Sequence, residues 1–234
     1  MEQRTKAILE AGINDFIKTG EPVTSEHLYH FYDFGIKPAM IRWELNDLTD
    51  KGFFFQNHPS GGRFPTNRAY RFFVDGLLEE YENLGAVDLP GVESFAREFL
   101  KGEHESFIES LAKELRLLGV CYECELDELH ESGLRELFSR LEIAVKNEIM
   151  TIIKDFESLK ERLQEQTNWL KGEDEWLKVF IGQSPITRSD ELSLIAEKLS
   201  FKNQKVLLMA IGPKRMDYRK SLRLFKAMSK VTSH

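Results

Sequence analysis

The chain is predicted to fold as an α+β protein in two parts, and three observations support this. Residues 1–84 alternate short helical stretches with turn residues and end on a glycine-rich turn flanked by aromatic runs. Residues 85–91, Gly85 to Gly91, read as a linker. In residues 92–234, helical periodicity comes first and three apolar strand-like runs follow, which is the α+β order. The expected domains are therefore 1–84 and 92–234.

Leu9, Ile13, Phe16 and Ile17 share one face of a first helix over 3–18. Gly20 and Pro22 stop it. Thr24 or Ser25 caps a short second helix, with Glu26 in its positive first turn. After the break from Asp33 to Gly35, Pro38 suits the first position of a third helix, which runs to about Lys51 and stops at Gly52. The runs 53–57 and 63–65 flank Gly61 and Gly62 and predict a two-stranded hairpin. Together these elements spell a helix-turn-helix with a wing. Thr66 or Asn67 caps a fourth helix running through Leu78.

Beyond the linker, residues 92–118 and 134–170 are helical by period. The second stretch carries Val145, Ile149, Ile152, Phe156, Leu159, Leu163 and Leu170 on one stripe, and a long helix lying on a sheet accounts for it better than a coiled-coil seam. Strands are expected at 176–182, 191–201 and 204–212, forming a small antiparallel sheet, with a last helix from about Asp217.

Charge separates these regions. The whole chain is −7, yet residues 76–200 hold 14 basic and 28 acidic side chains, whereas residues 201–234 hold 9 and 1. An acidic middle of this kind does not bind nucleic acid, so such binding falls to one end. Between Asp50 and Asp75 there is no acid, while Lys51, Arg63, Arg68 and Arg71 lie in that interval. The basic residues after Asp217 are spread around their helix and read as a solvated face.

On the third helix, Ile41, Leu45 and Leu48 face the core. The opposite side carries Ala39, Trp43 and Asn46, flanked by Met40 and Arg42. Asn and Arg make bidentate contacts to base edges in the major groove. An outward Trp43 is costly for a face that meets only water. Lys37 at the N-cap cannot accept the free amides, a cost that an approaching phosphate would offset. His58 in the turn is within reach of a phosphate or base, though a plain turn residue explains it equally well.

Residues 19–28 (TGEPVTSEHL), 38–45 (PAMIRWEL) and 58–78 (HPSGGRFPTNRAYRFFVDGLL) closely resemble the winged-helix domain of HrcA-type heat-inducible transcription repressors. Residues 133–138 (GLRELF), 178–182 (KVFIG) and 210–228, with Ile211, Gly212, Pro213, Arg215, Met216, Asp217 and Tyr218, resemble the end of that family's GAF-like regulatory domain. Between about 85 and 130 the resemblance fades. The chain resembles a shortened member lacking the inserted dimerisation domain and part of the GAF-like sheet.

The resemblance implies a repressor that binds double-stranded DNA as a homodimer at an inverted-repeat operator upstream of chaperone genes, tuned by heat and by the chaperonin. By position it places Pro38, Ala39, Ile41 and Arg42 in the recognition helix, and Ser60, Gly62 and Arg63 in the wing. Lys37, Met40 and Trp43 stand where the family usually has Ser, Thr and Asn, so the operator is expected to differ. With the residue-level reading, the expected DNA-binding set is Thr24, Ser25, Lys37, Pro38, Ala39, Met40, Arg42, Trp43, Asn46, His58, Ser60, Gly62, Arg63, Arg68 and Arg71.

Two other readings compete: a regulator gated by a small molecule in the GAF-like domain, and a winged-helix module that docks protein through Trp43. Cys121 and Cys124 form a CxxC whose only nearby companions are His104 and His130, and acidic neighbours raise rather than lower a thiol pKa. No catalytic residue, metal or cofactor is therefore expected. The longest apolar run, 206–211, is too short to span a bilayer, so no membrane role is expected. Two cysteines and no targeting signal point to the reducing cytosol.

Overall fold

Seventeen elements are seen among the described residues, and those of the first unit fall closest to where the sequence places them. The computed structural model describes residues 1–58, 61–83, 92–141, 146–166, 176–201 and 204–232. The chain divides into two compact units, Met1–Glu79 and Glu80–His234. It is mixed helix and antiparallel sheet, an α+β chain.

In the first unit, helix α1 spans Gln3–Thr19 and ends on Gly20 at φ 71°, whose N–H reaches Phe16 O. Helix α2 spans Ser25–Phe31, and of the two expected caps Thr24 is the one used, its side chain accepting from His27 N at 3.1 Å. Helix α3 spans Pro38–Asp50. Its end is a Schellman turn: Phe53 N–H bonds Leu48 O, Gly52 N–H bonds Thr49 O, and Gly52 takes φ 75°. Strands β1 (Phe54–Phe55) and β2 (Phe64–Pro65) pair antiparallel as a hairpin.

Val23, between α1 and α2, forms an antiparallel bridge with Arg63 through two backbone bonds of 2.8 and 2.9 Å. The hairpin is thereby fastened to the turn before α2. Ile8, Leu9, Ile13, Val23, Leu28, Ile41, Leu45, Leu48 and Phe54 form the buried interior.

Helix α4 spans Asn67–Asn83, five residues past the expected end at Leu78. The buried stripe of Phe73 and Leu77 continues to Tyr81, and residues 79–83 contain no Gly or Pro to stop the helix. The expected linker, residues 85–91, lies outside the described residues.

The second unit departs further from expectation. Residues 92–118 are not one helix. Helix α5 (Val92–Lys101) and helix α6 (His104–Leu115) are separated at Gly102, whose φ is 82°. A hairpin follows that the periodicity did not signal, strands β3 (Leu118–Glu123) and β4 (Glu128–Ser132).

Residues 134–170 are not one long helix either. Helix α7 covers Leu134–Arg140, α8 covers Lys146–Glu157 and α9 covers Leu159–Glu165. Ser158 leaves helical dihedrals (φ −107°, ψ 19°), and its hydroxyl donates to Lys154 O at 2.7 Å. Val145 and Leu170 of the expected stripe lie outside the described residues. Strands β5 (Trp176–Ile181), β6 (Leu192–Phe201) and β7 (Gln204–Pro213) and helix α10 (Tyr218–Thr232) fall where expected.

The sheet has five strands rather than three, ordered β4-β3-β7-β6-β5 and antiparallel throughout. Its side chains divide by parity between two helical layers. Leu118, Val120, Leu194, Leu207 and Met209 pack with Leu137, Ile152, Leu159 and Leu163 from α7, α8 and α9. Of the stripe read from the sequence, Ile152, Phe156, Leu159 and Leu163 thus cover the sheet, whereas Ile149 is exposed. On the other face Gly119 lies against Ile108 and Leu111 of α6, and Ser193 Oγ meets Tyr218 Oη of α10 at 2.8 Å.

Candidate nucleic-acid interface

The third helix turns its apolar residues inward and leaves the opposite face to solvent. Ile41, Leu45 and Leu48 are fully buried, whereas Trp43 is 61% exposed and Met40 45%. Ala39, Arg42 and Asn46 are also exposed. Lys37 holds the N-cap position without a side-chain bond, and Pro38 is the first helical residue.

Glu44 is the exception on this helix. It is buried, and its carboxylate is held by Arg4 Nε and Nη2 at 3.2 and 3.1 Å and by Thr5 Oγ1 at 2.8 Å. These bonds fix the roll of α3 against α1. They also draw this carboxylate away from the exposed side of the helix.

A concave cleft of about 370 Å³ opens between the start of α2, α3 and the hairpin. Thr24, Ser25, Arg42, Asn46 and Arg63 line it, joined by Gln56 and Gly61 from the hairpin. Two guanidinium groups and, among the described residues, no carboxylate line this hollow, so it suits an anion or a polar base edge. Gln56 and Gly61 were missed in the sequence. Gln56 Nε2 donates to Gly61 O at 2.6 Å across the hairpin, a pairing that only the closed turn creates.

Arg63 does not project outward with the other basic residues. It is 6% exposed, and its Nη2 donates to Asn46 Oδ1 at 2.5 Å. Burial pushes its pKa below the ordinary guanidinium value, and the charge of Arg42 pushes the same way. The hairpin thus holds Asn46 on the neighbouring helix. Arg68, which is exposed, donates from Nη1 to Lys51 O at 2.5 Å and lies 4.6 Å from the Phe53 ring centroid, so it closes the C-terminal end of α3. Arg71 is exposed on α4 and does not line the cleft. His58 is exposed in the turn, and its carbonyl accepts from Gly61 N–H at 2.9 Å. Ser60 lies outside the described residues.

Gly62 serves close packing. A Cβ there would fall 2.5 Å from Pro22 Cβ and 2.9 Å from Pro22 C and O. Gly62→Ala is expected to cost about 1–3 kcal/mol by forcing the hairpin off the turn before α2. Thermal unfolding measures this, and an unchanged midpoint would contradict it.

Among the described residues, no helix is long and apolar enough to cross a membrane. The thiols of the CxxC ionise poorly. Burial, chiefly, raises Cys121 well above its ordinary range and pushes Cys124 up to about 11.

Comparison with known proteins adds to this geometry. The family model described as the HrcA protein C terminal domain matches residues 82–222, more than half of the chain, and so extends through the stretch where the sequence resemblance thins. A heat-inducible transcription repressor HrcA from Natranaerobius thermophilus is 52% identical over 75 residues, which is 32% of this chain and 22% of that protein. A repressor of the same name from Thermoanaerobacter sp. (strain X514) is 36% identical over 113 residues, 48% of this chain and 32% of that protein. The chain thus aligns with a third or less of the length of these curated relatives. A crystal structure of a hypothetical protein matches 100% of this chain and 98% of its own at a TM-score of 0.78 and 15% identity, a likeness of fold.

Proposed function

The chain belongs to the HrcA family, and from that premise we propose that it is a transcription repressor whose first unit, residues 1–84, is a winged helix-turn-helix that reads an inverted-repeat operator. The acid-free cleft carrying Arg42 and Arg63 is the observation that carries this reading. Helix α3 enters the major groove with Ala39, Met40, Arg42, Trp43 and Asn46 foremost. Thr24 and Ser25 at the start of α2, with Lys37 and Pro38 at the start of α3, meet phosphates at positive helix ends. His58 and Ser60 in the wing turn, Gly62 beside them, and Arg68 and Arg71 beyond complete the backbone side of the interface.

A single module of this size binds DNA weakly, so the repressor acts as a homodimer on a two-fold site. Residues 92–234, a reduced GAF-like domain, set the dimer geometry and receive the heat or chaperonin signal. Separating the half-sites releases DNA, because linked binding is lost. The protein is a regulator rather than an enzyme. Lys37, Met40 and Trp43 give it an operator of its own.

A second reading, docking of a protein partner on α3, is favoured by the 61% exposure of Trp43. Selection of bound sequences from random duplex DNA separates the two. The wild-type protein should enrich an inverted repeat, and Arg42→Ala should cost about 1–3 kcal/mol and relax preference at one position of each half-site. Enrichment of nothing by the wild type would contradict the DNA-binding reading.

A further inference from the structure

Far in sequence from the candidate interface, two histidines and a glutamate from three separate elements meet in the second unit. His104 is the first residue of α6, Glu123 the last of β3, and His130 lies within β4. His104 Nδ1 lies 2.6 Å and His130 Nε2 3.0 Å from the same oxygen, Glu123 Oε1. One ligand atom from each of the three lies within 4.8 Å of the others. We propose that His104, Glu123 and His130 form a binding site for a divalent transition-metal ion of the Zn²⁺ class.

The donor set is the first argument. Two imidazole nitrogens and a carboxylate oxygen suit Zn²⁺, Co²⁺ or Ni²⁺, whereas Mg²⁺ and Ca²⁺ take oxygen ligands. Spacing is the second. Bonds of about 2.0–2.1 Å in a four-coordinate ion hold the donors about 3.3 Å apart. The two nitrogen–oxygen separations of 2.6 and 3.0 Å need to open by less than an ångström, and all three donors already lie within 4.8 Å of one another, so side-chain rotation supplies the adjustment.

Support for the ligands is the third. His104 is 4% and Glu123 7% exposed, and the elements carrying them are packed or paired in the sheet. Both imidazole nitrogens are aimed at the same Glu123 carboxylate oxygen, so the three side chains already converge on one point.

A fourth ligand is at hand. Glu128 stands directly opposite Glu123 in the β3–β4 register and therefore on the same face. Its Oε2 is 4.0 Å from His130 Nε2, and its side chain is 60% exposed, so it is open to movement. Bound metal would clip the β3–β4 hairpin to the start of α6.

Titration of the chelator-stripped full chain with Zn²⁺ or Co²⁺ alone tests the site. The expected result is saturable binding of about one ion per chain with a dissociation constant of about 1 μM or tighter. Co²⁺ should develop a visible absorption band, Zn²⁺ should raise the melting temperature, and Mg²⁺ should do neither. His130→Gln, at a partly buried position on an edge strand, should weaken binding at least about tenfold and abolish the band. Circular dichroism checks the fold of the variant. Glu123→Gln, which keeps the shape and removes the charge, is the second variant and should behave alike. Absence of saturable binding, or binding unchanged in either folded variant, would overturn the proposal.

Discussion

Asp155→Ala is expected to destabilise the C-terminal unit by about 3–5 kcal/mol, the cost of stripping one partner from a buried ion pair. Asp155 is 1% exposed. Its Oδ1 accepts from Arg162 Nη1 at 2.5 Å, and its Oδ2 accepts the backbone N–H groups of Arg188 at 2.8 Å and Ser189 at 3.1 Å. Arg162 also donates to Ile186 O at 2.7 Å, so one carboxylate ties α8, α9 and the loop before β6 together. Ile186 in that loop is part of the core beneath α8 and α9. Alanine would leave a guanidinium and two amides without their acceptor. Asp155→Asn keeps the shape without the charge and should fall between alanine and wild type. Urea unfolding followed by circular dichroism measures the change, and a loss below about 1 kcal/mol would contradict this account.

Arg63→Ala should have its largest effect on DNA binding, with little effect on folding. The residue is desolvated, and its Nε is buried with no hydrogen-bond partner among the described residues. Such a group contributes little to stability, and its backbone pairing with Val23 survives substitution. The expected change in stability is within about 1 kcal/mol. In binding, two things are lost: a charge in the cleft, and the hydrogen bond that orients Asn46. Affinity should fall by about 1–3 kcal/mol, and base preference should relax at the position Asn46 reads. Arg63→Lys should not restore it, since a single ammonium lacks the planar fork. Competition assays against point-substituted operators measure both effects. A uniform loss across all sequences would mean that Arg63 acts on the backbone alone.

The helical frame of the first unit was legible because its signals are local. Pro38 opens α3, Gly52 closes it, and Ile41, Leu45 and Leu48 lie on one stripe. What escaped depends on partners distant in sequence. Glu44 reads as a surface charge until Arg4 and Thr5, about forty positions earlier, are folded against it. Arg63 belongs to a basic cluster in the sequence, yet the fold turns it inward onto Asn46.

The β3–β4 hairpin was missed for a related reason. Strand β3 is buried on both faces and shows no alternation, β4 is a polar edge strand, and the turn uses Asp127 at φ 54° instead of glycine. Missing those strands also hid the convergence of His104, Glu123 and His130. The sequence draws attention instead to Cys121 and Cys124, two thiols that the fold leaves poorly ionised. Ser158 breaks the expected long helix with a side-chain bond that the apolar stripe does not register.

The central claim is that α3 and the hairpin bind DNA, and the affinity for the selected duplex as a function of salt tests it most directly. Phosphate contacts release counterions, so four to six of them per dimer predict a loss of orders of magnitude between about 50 and 200 mM salt, with a log–log slope of about −4 to −5. A binding constant that hardly changes over that range would contradict the account. It would point instead to a partner seated on Trp43.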